Sequence, residues 1–482
     1  MNSSRKIAAA FLVLVALTLI NLKSYAQSIV YANEVSFFSP NSVLNPQRAI
    51  STSTTTFARV QSNAGALAGI GAFQGELELK FSATVPAGQT TFIRIGNDNP
   101  DLLNTLLGGN LGNVLTNVVG SVALGNRYFE AGARMGTGAA NNVLSGNSSN
   151  PFSTERIKLV KDANGFFYVA LTPSVAYDRI YIKDFTSAVV GLGATGYTDV
   201  YYAFHGTDIN PCAQAIATSF EGTGLTVDLL GLGKAGVTNP EYAIDANPSN
   251  SSEISLGALG VAGSISQDIY FDNLSNIGDD LNIKIQAPAA LLNAGLLNNI
   301  IVTAYNGATQ VYTGNAGSLL NLDLLGLLNA GQAVSIPFSP NAQFDRVKVT
   351  ITSLLNAGLT QTFNLYSVTR SAGRPTFNSP LSNAVNTCSG TATQLRASTP
   401  ATNQLLWYDV PTGGTPVVTA SNAPFTTPVL TSDKTYYVSA KSIACGEESA
   451  RVPITVTLNP VPALPIISTN NQTISSGQTA TL

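Results

Sequence analysis

The sequence repeats itself, and this repeat constrains the fold more than any other feature. Two blocks recur at a constant offset of 167 residues: Phe167–Pro173 with Ala176–Ile182, and Val334–Pro340 with Gln343–Val349. Upstream, Val43–Ile50 recurs as Val237–Ile244 at an offset of 194 residues. An internal repeat of this kind predicts one structural unit present twice. The first copy carries 27 extra residues (194 − 167), which we expect in a Gly/Asn/Ser-rich surface loop near Arg134–Asn150.

Both copies are built from short β-branched or aromatic runs separated by turn residues, a pattern typical of strands. The second copy contains Asp268–Phe271, Asn282–Ile285, Ile300–Thr303, Ala333–Phe338, Phe344–Ile351 and Phe363–Val368. The first copy contains Glu76–Phe81, Thr91–Ile95, Arg156–Val160, Phe166–Leu171, Tyr177–Ile182 and Asp199–Phe204. Six short strands per copy predict an all-β chain with two tandem jelly-roll-like β-sandwiches, at residues 27–208 and 209–372.

Three leucine-rich segments interrupt this pattern: Leu102–Leu115, Leu291–Leu297 and Leu319–Leu328. Each predicts a turn or two of helix across a sandwich edge, with the leucines covering the core. The alternative is an exposed hydrophobic surface that drives self-association.

The N-terminus has the features of a signal peptide. Arg5 and Lys6 precede the apolar run Ile7–Ile20, and Ser24–Ala26 supplies the small residues of a cleavage site before Gln27. The run is shorter than the roughly 20 residues that a spanning helix needs. We therefore expect residues 1–26 to be removed and the protein to be secreted or displayed at the cell surface, with no membrane span afterwards. The alternative is an uncleaved anchor.

Composition excludes some partners. Charged residues make up 11% of the 482 residues, and the net charge is −3 without basic clusters. This gives no electrostatic footprint for nucleic acid and no basic face for anionic lipid. The hydrophobic content of 44% is enough for several cores, and the length exceeds what one core usually holds.

The loop Asn239–Asp245, followed by Asn247 and Ser249, resembles the opening loop of discoidin-like and related galactose-binding-like sandwiches. That resemblance implies a structural Ca²⁺ near Asp245, since hard cations prefer oxygen ligands. The Gly and Trp that usually follow the Asp are missing, and the first copy has Ser51 at the equivalent position. The alternative is a turn capped by Asn, Asp and Ser side chains.

The repeated dipeptides Asp178-Arg179 and Asp345-Arg346 lie where strands begin. We expect them to pin the strand ends through local hydrogen bonds. The alternative role is contact with a ligand.

Near the C-terminus, Trp407-Tyr408-Asp409 is followed by Thr412–Pro416, Phe425–Pro428 and Thr435–Val438. This order resembles the CHU_C-associated Ig-like modules of large surface proteins of gliding bacteria. The resemblance implies an Ig-like sandwich at residues 373–459 and a place in a modular surface protein, without implying a ligand. Independently, Gly413 and Gly414 predict a tight turn between two strands, because glycine tolerates positive φ.

Three cysteines occur in the chain. In an oxidising compartment, a Cys388–Cys445 disulfide at the sandwich edge would close a loop of 58 residues and contribute about 4 kcal/mol. Two separate thiols are the alternative. Cys212 is left over, as an unpaired thiol or one that pairs between molecules.

The sequence offers few candidate catalytic residues. His205 is the only histidine, which excludes metal sites built on several imidazoles and leaves one candidate base. A glycosidase could use carboxylates alone. Glu76 and Glu78, however, alternate as expected of a solvated strand face. We therefore expect no enzyme and no bound cofactor other than the calcium considered above.

Beyond Asn459, Pro460, Pro462 and Pro465 indicate a stiff linker. The final residues resemble the first strand of a further module, so we expect residues 460–482 to be a linker and the start of a truncated unit.

Together these features predict an adhesin-like binding protein, with tandem sandwiches that bind a glycan or surface polymer and an Ig-like spacer. One alternative is a carbohydrate-active enzyme or its accessory module, with Tyr181, Tyr201 or Tyr202 stacking on sugar rings. The other is a structural matrix protein.

Overall fold

The computed structural model describes residues 29–65, 70–97, 100–108, 127–148, 152, 155–186, 195–206, 215–225, 235–256, 261–272, 274–293, 295–318, 322–353, 361–420, 423–443, 446–459 and 473–479. Strands dominate these residues, which confirms the predicted all-β class. The chain divides into two units, one up to Arg370 and one from Ser371 onward. The predicted signal peptide and Cys212 lie outside the described residues.

The first repeat is a sandwich of two antiparallel sheets. Its described strands are β1 (Val30–Tyr31), β2 (Glu34–Phe38), β3 (Val43–Leu44), β4 (Ala58–Asn63), β5 (Phe73–Val85), β6 (Thr91–Gly96), β7 (Arg127–Arg134), β8 (Asn142–Asn147), β9 (Ile157–Lys161), β10 (Phe167–Leu171), β11 (Tyr177–Thr186) and β12 (Thr195–His205). Sheet A has the order β3-β4-β12-β6-β10-β9, with β1 beside β12. Sheet B has the order β2-β5-β11-β7-β8.

The second repeat is also a two-sheet sandwich. Its described strands are β13 (Ala215–Leu225), β14 (Gly236–Thr238), β15 (Ser252–Ser255), β16 (Val261–Phe271), β17 (Asp280–Gln286), β18 (Ile300–Asn306), β19 (Thr309–Asn315), β20 (Val334–Phe338), β21 (Arg346–Thr352) and β22 (Thr362–Ser371). Sheet C has the order β13-β16-β21-β18-β19. Sheet D has the order β14-β15-β22-β17-β20.

Sheet C reproduces sheet B strand for strand, and sheet D reproduces sheet A without β1 and β9. This match fixes the location of the insertion in the first copy. Between β6 and β7 there are 30 residues (97–126), whereas 13 (287–299) separate the equivalent β17 and β18. The turn from β7 to β8 contains seven residues (135–141), and the equivalent turn of the second copy contains two (307–308). The expectation of an insertion near Arg134–Asn150 was therefore wrong for its larger part, because composition shows where turns occur but not which connection is longer.

Each repeat has its own hydrophobic core between its two sheets. The first includes Leu79, Ile93 and Val169, and the second includes Ile283, Phe338 and Val349, all buried. The strand segments predicted in both copies all fall within strands, apart from a residue or two at some ends.

Helices cover the cores in the described parts of the leucine-rich segments, whereas residues 109–115 and 319–321 lie outside the described residues. They are α1 (Pro100–Leu107), α2 (Ala289–Asn293) and α3 (Leu322–Asn329), with single 3-10 turns at Pro46–Ile50, Ala139–Asn141, Pro240–Ala243, Leu296–Asn299 and Ala316–Ser318. Leu102, Leu106, Leu291 and Leu328 are buried, whereas Leu327 is exposed.

The aspartates of the repeated Asp-Arg dipeptides hold equivalent turns in the two copies. The Asp178 carboxylate accepts a hydrogen bond from the Gly136 N–H at 2.9 Å. Asp345 accepts one from the Gly307 N–H, also at 2.9 Å. The aspartates therefore hold the strand starts as expected, but through bonds to turns 42 and 38 residues away rather than through local ones.

A group of six charged side chains joins the two repeats, and we call it the interface cluster: Glu155, Lys158, Glu221, Asp268, Arg346 and Lys348. Arg346 Nη1 of the second repeat lies 2.6 Å from Glu155 Oε2 of the first and 2.9 Å from Asp268 Oδ1. Lys158 Nζ of the first repeat lies 2.9 Å from Glu221 Oε2 of the second. Burial opposes ionisation of Glu221, but Lys158 and Lys348 outweigh it and lower its pKa to about 2.

The second unit consists of β23 (Ala384–Cys388), β24 (Gln394–Leu395), β25 (Asn403–Tyr408), β26 (Val418–Ala420), β27 (Phe425–Thr426), β28 (Lys434–Ser442) and β29 (Val452–Asn459). Sheet E has the order β23-β29-β28-β25-β26, and β24 pairs with β27. Trp407, Phe425 and Tyr436 lie between them, with ring centroids 5.4 Å and 5.3 Å apart. Gly413 and Gly414 have φ of 64° and 67°, which confirms the predicted turn between β25 and β26.

Candidate functional site

The outer face of sheet A carries the most distinctive set of side chains in the first repeat. Successive residues of a strand point to opposite faces, so Ile93 and Ile95 of β6 enter the core while Arg94 faces outward. The same alternation puts Arg59 of β4, and Tyr197 and Asp199 of β12, on this outer face.

Four rings and two guanidinium groups form a continuous arrangement there, which we call the aromatic row: Phe57, Arg59, Tyr197, Tyr201, Arg94 and Phe166. The Arg59 guanidinium lies 3.7 Å from the centroid of the Tyr197 ring, and the Phe57 and Tyr201 centroids are 5.3 Å apart. The Arg94 guanidinium lies 3.9 Å from the Phe166 centroid and 4.4 Å from that of Tyr201. Phe166 is exposed, and the other three rings are half-buried.

A β-bulge in β12 helps to build this row. The register of β12 against β6 shifts between Val200 and Tyr202, so Tyr201 is the extra residue. Bulges re-aim side chains, and here the rings of both Tyr201 and Tyr202 lie within 6 Å of the Arg94 guanidinium. A Cβ on Gly96 would come within 3.2 Å of the Tyr201 ring, so glycine at this position leaves room for it.

Arg59 and Asp199 add a polar element to the row. Arg59 Nε and Nη2 donate to the two Asp199 carboxylate oxygens at 2.7 Å and 2.9 Å, a bidentate pair between neighbouring strands. Such a planar pair beside half-buried rings can hydrogen-bond to the hydroxyl groups of a ligand while the rings pack against its apolar surface.

The rest of the outer face of sheet A is covered by the second repeat. Phe92, Tyr168 and Ala170 pack with Ala217 of β13 and with Tyr270. Burial raises the pKa of Tyr168. The aromatic row is therefore the part of this face next to the junction between the repeats.

The second repeat has only a remnant of the row. Strand register makes Tyr366 the equivalent of Tyr201, and Lys284 that of Arg94. The Lys284 Nζ lies 5.3 Å from the Tyr366 ring centroid, so the cation–ring pair is repeated. The positions of Phe57, Arg59, Tyr197 and Phe166 are Ser251, Glu253, Thr362 and Ala333.

Comparisons with known proteins identify the C-terminal unit. Residues 375–460 match the model of the Ig-like domain, CHU_C associated. The predicted Ig-like resemblance is confirmed, and the Ig-like domain makes this a modular protein of the surface type. Domains of this kind are typical of secreted and surface proteins.

Two solved structures of allantoicase show a distant likeness to this chain. The one from Saccharomyces cerevisiae covers 62% of this chain and 76% of its own, with 8% identity and a TM-score of 0.20. The second covers 72% and 90%, also with 8% identity and a TM-score of 0.20. No curated protein matches the sequence. Likenesses at this TM-score carry no inference about activity.

The Ig-like domain places Cys388 at the exposed end of β23, an edge strand of sheet E. Cys445 lies outside the described residues, so the Cys388–Cys445 disulfide stays a prediction.

The predicted calcium loop is held by its own hydrogen bonds. Asp245 Oδ1 accepts from the Asn247 N–H at 3.0 Å, and Oδ2 accepts from Asn250 Nδ2 at 2.7 Å. Asn247 in turn accepts from the Ser249 N–H. These are the bonds of a capped turn, so a calcium ion at Asp245 stays a prediction. Within the described ranges, no group of three or more His, Cys, Asp or Glu side chains is placed to hold a metal.

Of the tyrosines considered for sugar stacking, Tyr201 alone is partly accessible. Tyr181 is fully buried: its Oη donates to Glu130 Oε1 at 2.6 Å, and Arg134 covers its ring at 3.9 Å. Tyr202 is also buried. The expectation that Tyr181 or Tyr202 could stack on a sugar was therefore wrong.

Glu78 also differs from expectation. It is fully buried, not solvated, because Arg134 Nη1 lies 2.6 Å from Glu78 Oε2 and 2.7 Å from Glu76 Oε1. Arg134 of β7 and Arg179 of β11 thus cover this face of sheet B. His205 packs against the Phe81 ring at 4.9 Å, and burial lowers its pKa.

In the part of the chain that the structure describes, no helix is long and apolar enough to cross a membrane.

Proposed function

We propose that this protein is a non-catalytic, exported binding protein whose aromatic row holds a polymeric glycan. The observation that carries the proposal is a row of accessible rings on the outer face of a sheet rather than in a core. Sugar rings have apolar faces of C–H groups that pack on aromatic rings, and their hydroxyls need polar partners. The Arg59–Asp199 pair beside the rings supplies such partners.

The arrangement favours an extended ligand. Phe57, Tyr201 and Phe166 are held by three segments of sheet A, the last two through their contacts with Arg94. The sheet holds the Phe57 and Tyr201 rings in place, so little of their side-chain entropy is lost on binding. The Ig-like domain then serves as a spacer in a modular surface protein.

A paired substitution tests the site. We expect Tyr201→Ala to weaken binding to the recognised polysaccharide by about tenfold or more, equivalent to about 1.4 kcal/mol of lost stacking. Tyr366→Ala, at the equivalent position of the second repeat, should leave the affinity unchanged. Affinity electrophoresis or calorimetry of the exported chain against a panel of plant, algal and microbial polysaccharides measures both.

Two outcomes would contradict the proposal. One is the absence of binding to any polysaccharide by the folded wild type. The other is an equal loss in both variants, which would place the ligand elsewhere. Release of new reducing ends from a bound polymer would favour a carbohydrate-active enzyme instead.

A further inference from the structure

Arg94 differs from the other buried arginines of the first unit. Arg134 and Arg346 each contact two carboxylates, and both side chains are almost completely buried. Arg94 is 3% exposed, yet its guanidinium makes no hydrogen bond and no ion pair with any described residue. Its Nη1 is buried and has no acceptor among the residues that the structure describes.

The contacts that Arg94 does make only partly offset this burial. Cation–π contacts stabilise a charge by less than it costs to bury that charge without a counter-ion. Buried polar groups in native proteins nearly always have partners, so the buried Nη1 of Arg94 needs an explanation. An oxyanion of a ligand would supply the missing acceptors, and a guanidinium suits carboxylates and sulfates because its N–H groups form a planar fork.

The second repeat shows what buries Arg94. Its equivalent, Lys284, stays half-exposed over Tyr366, and Ala333 stands where the first repeat has Phe166. Phe166 follows a tight turn in which Asp162 Oδ1 accepts from the N–H groups of Asn164 and Phe166, at 2.9 Å and 2.8 Å. The exposed Phe166 ring therefore covers Arg94 from the solvent side.

We propose that Arg94 binds the oxyanion of an acidic polysaccharide, a uronate carboxylate or a sulfate ester, while the neighbouring rings stack on its sugars. The Phe166 ring swings aside to admit the anion and then packs against the sugar. This assignment rests on the proposed glycan-binding function and narrows its ligand to polymers that carry negative charge.

The test uses matched polymers that differ only in charge. Polygalacturonate is compared with its carboxyl-reduced derivative, and dextran sulfate with dextran, at one fixed ionic strength. We expect the wild-type chain to bind at least one acidic polymer about tenfold or more tightly than its neutral counterpart. The arm that shows the preference identifies the oxyanion as carboxylate or sulfate.

Variants then locate that preference. Arg94→Gln should abolish it by lowering the affinity for the acidic polymer to that for its neutral counterpart or below, and Lys284→Gln should preserve it. Phe166→Ala, which uncovers Arg94 and keeps its charge, should retain the preference. Because Arg94→Gln removes an unpaired buried charge, its melting temperature should not fall below that of the wild type.

The failures are distinguishable. A wild type that binds acidic and neutral polymers equally overturns the role of Arg94 and leaves glycan binding intact. A preference that survives in Arg94→Gln, or that Lys284→Gln removes, overturns it as well. Absence of binding to all four polymers, together with no binding in the wider panel, overturns the proposed function itself.

Discussion

Arg346→Met is expected to destabilise the first unit by about 3 to 5 kcal/mol, the usual cost of removing one partner from a buried ion pair. The substitution keeps the apolar stem but leaves Asp268, which is 1% exposed, without its partner 2.9 Å away. It also removes the 2.6 Å contact with Glu155 that joins the two repeats. Chemical denaturation followed by far-UV circular dichroism measures the change.

Two further variants show whether the cost comes from a stranded charge. Arg346→Met combined with Asp268→Leu should recover much of the lost stability, because a buried pair replaced by apolar groups is often close to neutral. Lys80→Ala removes a partly exposed pair with Glu34 and should change stability by no more than about 1 kcal/mol. A loss as small in Arg346→Met as in Lys80→Ala would contradict the role given to the interface cluster.

Phe425→Ala is expected to destabilise the Ig-like domain by about 3 to 5 kcal/mol, because it opens a cavity between Trp407 and Tyr436. Trp407 is the only tryptophan of the chain and is fully buried, so its fluorescence follows this unit alone. The fluorescence transition should move to lower denaturant concentration.

Val429→Ala is the matched control, because Val429 is 63% exposed and its truncation should leave the transition in place. Equal shifts in the two variants would mean that Phe425 is not part of the core. The Arg346→Met variant should leave the tryptophan transition unchanged, since the interface cluster lies in the other unit.

The strands and their faces were predictable because alternation is a local property. Runs such as Asn282–Ile285 and Phe363–Val368 are short and bounded by turn residues, and both lie within strands of the structure. The repeat offset likewise predicted that the two copies share one topology. The Trp407 motifs predicted the Ig-like domain for the same reason, since their turn glycines and core aromatics lie close together in sequence.

Of the aromatic row, only Tyr201 was predicted from the sequence as a residue that could stack on a sugar. Arg59 and Asp199 are 140 residues apart, and only the pairing of β4 with β12 brings them together. The bulge at Tyr201 has no local signal, since Val200-Tyr201-Tyr202 reads as an ordinary strand. Arg94 could have been recognised as a candidate site residue by comparing the two copies, because the second copy also has a basic residue, a lysine, at that position.

The burial of Glu78 could not be predicted from the sequence for a different reason. Alternation correctly places it opposite the core, but it does not show what covers the outer face. Arg134 and Arg179 come from other strands, and their contacts with Glu78 depend on the order β5-β11-β7 in sheet B.

The aromatic row of the first repeat is where we propose that a glycan binds. Hydroxyl-radical footprinting of the wild-type chain, with and without a polysaccharide that it binds, tests this directly. We predict protection of Phe166, Tyr201 and Phe57 on binding, with Tyr366 and the exposed Phe37 reacting as before. Protection at Tyr366, or unchanged reactivity along the whole row while the polymer is bound, would contradict the claim.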